Sequence, residues 1–537
     1  MTDGIIITLY RASPITFITT LVLSALTFRI IIYPFFLNPL HKIPGPTLYK
    51  ISSLFTLNDH RVEKRIVKVD TLHQKYGSVV QVAPNEVSLS HVSSLKKIYI
   101  DRNLPKSQFY GQFQNFDELN SFSMLDSGVH IKRKRLMAKL YSKTSVFMNS
   151  SQVHINDRVN NVLEFVGSHV GDGIDVYELF NSLAMDVVTF FEFGSKFSTN
   201  LILDLDQREI IKSFRASSSM WFYTTFFPSL WDYAATKETK TLSDGCREWI
   251  RAKFLEAYDD FLENGSNDDI NMIKSLYDSQ MVNKFGIGSE LFDHTAAGHE
   301  TTGTSLTYCC WELSRPANQY IQERIAQEMN EHFIKDDDVI ELEKLDKLPY
   351  LDAVIMETIR LHAAIPGFEP RVVDSREFKV ELSDGTQVEL PGGTIVSVQP
   401  YTIHRDPKIF LEPNQFIPER WLPGKGESDD EYKSRIKLMR SMIFTFGQGN
   451  RMCLGMNLAM MEMKLCIGQL YWKFNSCISG DWCKDILTTK ADAIMGYSSF
   501  HGKSKAELND VELMSMADSY TSRPIFDECW LVWNKRS

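Results

Sequence analysis

The stretch FGQGNRMCLG (446–455) holds one cysteine among three glycines, with an arginine two residues upstream and a phenylalanine at its head. A thiolate alone in a loop, with no second Cys or His nearby, cannot close a tetrahedral zinc site. It can be the single axial ligand of a haem iron, because the porphyrin supplies the other four. Such a sulfur needs amide N–H donors aimed at it. Gly447, Gly449 and Gly455 allow this by adopting φ > 0 and by leaving space. It benefits from a helix N-terminus, and LGMNLAMMEMKLCIGQLYW, which follows, reads as helix. It needs shielding from water, which Phe446 offers. Arg451 then also has a role, since guanidinium pairs with carboxylates as a fork and haem carries propionates. The plainer reading of a lone cysteine is a buried free thiol in a turn. The full spacing F-x-x-G-x-R-x-C-x-G favours the ligand.

The rest of the chain supports a large globular body whose cysteines read as thiols in a reducing compartment. It has 537 residues, 43% of them hydrophobic, and a formal net charge of -10. That charge excludes a general nucleic-acid binder. Eight cysteines in such a length do not make a disulfide scaffold, and no CxxC or HExxH occurs to hold zinc. The N-terminus differs from this soluble picture. PITFITTLVLSALTFRIIIYPFFL (14–37) carries only Arg29 as a charge and is long enough to cross a hydrocarbon core of about 30 Å. A secretory signal would have a shorter apolar core and a small-residue cleavage site. Here the chain runs into NPLHKIPGP, so a retained anchor is expected, with Arg29 snorkelling toward an interface. Lys42 and Lys50 after the span favour a cytosolic body. Pro44-Gly45-Pro46 breaks the anchor from that body. Sequons at Asn149 and Asn264 would stay unmodified there.

Beyond residue 51 no repeat or linker divides the chain, and helix outweighs strand. SVVQVAPNEVSLS (78–90) reads as a hairpin, and VELSDGTQVELPGGTIVSV as further strands turning at Asp384-Gly385. The acidic run near Asp429 is a solvated loop or surface helix. SELFDHTAAGHETTGTSLTYCCWELSR (289–315) reads as one long helix ending before Pro316. Its small residues, Ala296, Ala297, Gly298 and Gly303, suit either a ligand lying against the backbone or tight helix–helix packing. PYLDAVIMETIRLH (349–362) is a second helix with Glu357 and Arg360 on one face. Alone, that pair reads as exposed; Arg420 in FIPERW could join it in a buried cluster that fixes geometry. WFYTTFFPSLW (221–231) reads as a membrane-dipping lip or as ordinary core aromatics.

Together these motifs resemble the cytochrome P-450 family. The cysteine loop is similar to its haem-binding signature at Phe446, Gly449, Arg451, Cys453 and Gly455. AGHETT (297–302), beginning at Ala297, resembles the oxygen-binding segment of the central helix. ETIR (357–360) resembles the family's E-x-x-R, and FIPERW its P-E-R-F/W element. HRDP (404–407) and KIPGP also fall in order. The resemblance runs from residue 44 to the helix after Cys453. It implies a mainly α fold with a small β-rich subdomain and haem b, iron protoporphyrin IX, buried between two helices. It also implies an anchor and hinge over 1–43 and one catalytic domain over 44–537. The family often has W-x-x-x-R in the helix that reaches the propionates. Here HIKRKR puts His130 and Lys134 in those places, and lysine is a point charge rather than a fork. Arg133 or Arg135 could substitute, and the other reading of KRKR is a solvated basic face toward an acidic redox partner. Arg371, in EPRVV, resembles a third propionate ligand.

The activity implied is a monooxygenase that inserts one oxygen atom of O2 into a lipophilic small molecule. Glu300 and Thr301 resemble the family's acid–alcohol pair for proton delivery; the other reading is a surface acid and a packing threonine. No G-x-G-x-x-G follows a strand, so the resemblance implies NADPH electrons from a separate cytochrome P-450 reductase, with cytochrome b5 as an accessory donor. The expected site is the endoplasmic reticulum membrane, single-pass, with the body in the cytosol. The idiom resembles fungal members, many of which decorate secondary metabolites. Two other readings are a reductase-independent haem-thiolate isomerase or dehydratase, which the Glu300–Thr301 pair argues against, and a non-catalytic haem sensor.

Overall fold

The computed structural model describes residues 14–219, 221–266, 268–334, 339–488 and 504–536. Its axis is the 31-residue helix Lys284–Ser314. Asn283 caps it by accepting from the Gly286 N–H at 2.6 Å. It ends where Pro316 has no N–H to continue it. Beside it runs the helix Val176–Phe193, apolar nearly all round and buried along its length. The two approach through glycine. A Cβ on Gly303 would lie 2.8 Å from the Asn181 Cα, and one on Gly298 would lie 2.6 Å from a Val188 methyl. Part of the small-residue stripe is therefore helix–helix packing. Ala297, one step round the helix, faces open space instead.

The fold is mainly helical with small sheets at its edges. Val79–Ala83 and Glu86–Leu89 form the expected hairpin, with Val79 opposite Leu89. Ile395–Ser397 joins it parallel, and Arg371–Val372 closes the sheet antiparallel at the edge. That edge strand brings Arg371 inward, where it is buried. Phe378–Glu381 pairs with Gln387–Leu390. Near the C-terminus, Met516–Ser519 folds back on Thr521–Pro524 through Tyr520, which sits at φ +74. The acidic run resolves as a surface helix, Asp429–Met442, begun by a Ser428–Glu431 capping box.

Pro14–Thr27 is helical and continues into the wider-wound Phe28–Leu37; its apolar side chains are mostly exposed. This is the one helix among the described residues long and apolar enough to cross a membrane, which is compatible with anchoring. Arg29 lies at its inner end and donates to the Ile51 carbonyl on the body at 3.2 Å. The hinge is docked rather than loose: the Gln81 N–H donates to the Pro44 carbonyl at 2.8 Å. The aromatic run divides, with Trp221 and Phe222 buried and the segment around Leu230 and Tyr233 exposed.

Glu357 and Arg360, on the helix Pro349–Leu361, are fully buried, so the exposed-pair reading is excluded. The carboxylate accepts from Arg360 at 2.7 and 2.9 Å, Arg420 at 3.0 Å, the Trp421 indole at 3.0 Å and the Ile417 N–H at 2.9 Å. Burial alone would raise its pKa, but Arg360 and then Arg420 pull it down to about 2. Arg360 also donates to the carbonyls of His404, Pro413 and Gln415. His404 passes this order onward. Its Nδ1 donates to the Arg360 carbonyl at 3.0 Å, while its Nε2 accepts from the Phe444 N–H at 2.8 Å, at the start of the cysteine loop.

Two predictions follow from this packing. Gly303→Val should cost about 1–3 kcal/mol by overpacking against the 176–193 backbone, read as a lower thermal midpoint. Glu357→Ala strands two guanidiniums and should cost about 3–5 kcal/mol, read as loss of folded, cofactor-loaded protein. Because its folded pKa is depressed, the Glu357 contribution is complete above the ordinary glutamate range and fades as pH falls toward about 2. The acid limb of stability against pH should lack that component in the variant.

Candidate active site

A cavity lies between the central helix and the cysteine loop. Ala297, Gly298, Thr301 and Thr302 wall one side; Phe446, Cys453 and Gly455 wall the other. Cys453 is the only one of the eight cysteines with an exposed side chain. The surface it shows is cavity wall, because the sulfur itself lies deep. Burial raises its pKa, while the Gly455 amide, the Lys134 ammonium and the Met456 amide oppose that rise.

The loop is held from several sides. The Cys453 N–H donates to the Phe446 carbonyl at 2.7 Å, closing the turn. Gly449 sits at φ +70 with its backbone pressed on Tyr99, where a Cβ would lie 2.0 Å from the carbonyl oxygen. Gly447 is at φ +66. Gly455 corrects the sequence reading: at φ -80 it needs no left-handed conformation. A Cβ there would meet no protein atom within 4 Å, so its contribution is the space it leaves at the head of the helix Met456–Lys473.

Four basic groups crowd one flank of the cavity: Lys106, His130, Arg371 and Arg451. Arg451 donates only to backbone carbonyls, of Ser121, Leu125 and Asp126. Burial, then Arg371, lowers its pKa to about 10. Burial, then Arg451, takes His130 down to about 3, and its Nδ1 is buried with no hydrogen-bond partner among the described residues. Lys106 is depressed by burial and by Arg371 and Arg451. Against these stands Glu369, 3.5 Å from Arg371. Buried positive charge in such excess fits a flat group that brings two carboxylates, and the open cysteine fits an axial thiolate ligand. The residues present therefore suit haem.

Lys106 is absent from the sequence reading; a single lysine in LPKSQFY carries no pattern. The helix Ser127–Met137 settles its neighbours. Lys134 reaches the cavity but donates to the Asn450 and Met452 carbonyls at 3.0 and 2.5 Å, bracing the loop. Arg133 pairs with the buried Glu290 at 3.0 Å, so it is no substitute carboxylate ligand here. Lys132 and Arg135 are exposed.

The acid–alcohol pair divides between two surfaces. Thr301 lines the cavity, its hydroxyl donating to the Ala297 carbonyl at 2.8 Å. Glu300 does not line it. Burial raises the Glu300 pKa, opposed by hydrogen bonds from Thr521 and Ser218 and by Arg523. The surface-acid reading is thereby excluded. Thr521 adjoins Tyr520, which does line the cavity.

Comparisons with known proteins agree with this geometry. The family model described as Cytochrome P-450 matches residues 44–496. The cytochrome P-450 monooxygenase FGM1 of Gibberella zeae is 27% identical over 482 residues, covering 86% of this chain and 92% of the relative. The monooxygenase hkm5 of Aspergillus hancockii is 28% identical over 481 residues, covering 82% and 86%. The monooxygenase cloA of Claviceps purpurea is 24% identical over 511 residues, covering 91% and 93%. With its one open thiol beneath the central helix and the family model spanning most of its length, this chain belongs to the cytochrome P-450 family of haem-thiolate monooxygenases.

Proposed function

We propose that this monooxygenase inserts one oxygen atom of O2 into a lipophilic small molecule of the fungal secondary-metabolite kind. Electrons come from NADPH through a separate reductase, at the endoplasmic reticulum membrane with the body in the cytosol. The observation that carries the reading is the placement of Cys453: an exposed cysteine in the wall of a cavity whose far side is the small-residue face of the central helix. A thiolate-ligated haem supplies the reduction of dioxygen and the cleavage of its O–O bond, which the thiolate favours by donating electron density. Cys453 would ligate the iron, and Arg451, Arg371, His130 and Lys106 would hold the propionates. Lys134 would keep the loop in place. Val188, Ala297, Ala364 and Ile365 give the substrate side an apolar lining that excludes water.

Proton delivery falls to Thr301 and Glu300. The Thr301 hydroxyl stands at the cavity wall, where it can hold a water. Glu300, directly before it, is kept inside the protein by Thr521 and Ser218 and can resupply the proton. This pair favours the monooxygenase over an isomerase or dehydratase, which needs no such supply. Exposed Lys132 and Arg135 offer a basic face to an acidic redox partner.

Cys453→Ala should keep the fold but lose the red-shifted Soret absorption of the reduced, carbon monoxide-bound protein. Retention of that band would overturn the ligand assignment. Thr301→Ala should uncouple turnover with reductase present. Product per NADPH should fall on the order of tenfold or more while peroxide rises. Coupled turnover in that variant would remove Thr301 from the relay.

A further inference from the structure

Asp293 lies four residues before Ala297, so the two share one face of the central helix, and both line the cavity. Three carboxyl groups reach this wall: Asp293, Glu369 and Glu462. Glu369 has Arg371 beside it. Glu462, on the helix after Cys453, is pushed by burial up to about 8 and is neutral near pH 7. Asp293 has no arginine beside it. Among the described residues, no hydrogen bond or ion pair holds its carboxylate.

The nearby cations are committed elsewhere. His294 sits 3.3 Å from Glu192 and 3.9 Å from Glu290. Arg133 sits 3.0 Å from Glu290. Lys106 donates to the Phe122 carbonyl at 2.6 Å, between the rings of Tyr110 and Phe122, and belongs with Arg371 and Arg451. The close contacts of these cations thus go to Glu192 and Glu290. Asp293 is the one of the three carboxylates without an ion pair within 4 Å among the described residues, and the one that the cavity reaches. Burial raises its pKa to about 7, and the more distant charges of His294 and Lys106 only partly oppose that rise. Close by, Phe109, Phe113, Phe122 and Tyr520 pack ring against ring, with centroids 5.0 to 6.3 Å apart. Phe122 and Tyr520 of this group line the same cavity as Asp293, and aromatic faces with a carboxylate in one cavity are the chemistry that receives an ammonium group.

We propose that the substrate carries a basic nitrogen, bound as an ammonium ion paired with Asp293, with its apolar remainder against the helix stripe. The proposal rests on the monooxygenase reading and narrows its substrate class to lipophilic amines. The test uses the full-length holoprotein and two probes of one shape: N-benzylpiperidine, a tertiary amine, and benzylcyclohexane, its carbon isostere. Binding is read from the perturbation of the haem Soret band and by calorimetry. In Asp293→Asn, and in Asp293→Ser as a second variant, the amine should weaken on the order of 10–100-fold while the hydrocarbon is unchanged. An amine that loses no more than the hydrocarbon, or fails to bind the wild-type holoprotein, overturns the proposal. The carbon monoxide signature is recorded on every sample. Its absence in the wild type would strike the haem-thiolate reading, whereas its presence with no amine preference strikes only the role of Asp293.

Discussion

The carboxylate of Glu357 is the constraint on which the active site depends. It is fully buried and accepts five hydrogen bonds, and two guanidiniums keep it ionised. A buried ion cluster of this kind adds little net stability, because desolvation offsets most of the attraction. Its effect is positional. Arg360 gathers three carbonyls of the 404–415 segment, and His404 hands that order to Phe444 through one fixed tautomer. Thr445 adds a second tie, donating to the Ile359 carbonyl at 2.6 Å. The cysteine loop thus inherits its place from a helix it does not belong to.

The cavity has two electrical poles. One flank concentrates Lys106, His130, Arg371 and Arg451, where burial and then the neighbouring cations depress His130 and Arg451. The opposite wall is the small-residue face of the central helix, Ala297 and Gly298 with Thr301, Thr302 and Ser305, headed by Asp293 and His294. The first pole suits a dicarboxylate. Glu300 and Thr301 use the helix differently. Thr301 faces the cavity and Glu300 faces away, so adjacent residues sample two environments because successive helix positions diverge by about 100°.

Residues tied to a motif were legible in the sequence. Cys453, Arg451 and Gly449 were placed by the spacing of one loop, and Glu357 with Arg360 by a helical interval. The buried state of that pair was open until Arg420 and Trp421 were seen to close over it. Lys106 and Asp293 were not legible. Each is one charged residue with no repeat around it, and its meaning comes from elements hundreds of positions away, such as Arg371 for Lys106. The basic run after His130 was ambiguous for a related reason: four adjacent cations point in four directions, and only packing against Glu290 and the loop carbonyls sorts them. Gly455 shows the reverse error. The residue type was informative, but the reason was room for a neighbour rather than backbone strain.

The unequal exposure of the eight sulfurs also bears on handling the protein. Six are buried and Cys477 is half-buried; burial holds those seven thiols protonated and slow to react. In the folded chain Cys453 is therefore the thiol most open to an alkylating reagent, and the extent of iodoacetamide labelling reports how far that part of the cavity wall is covered.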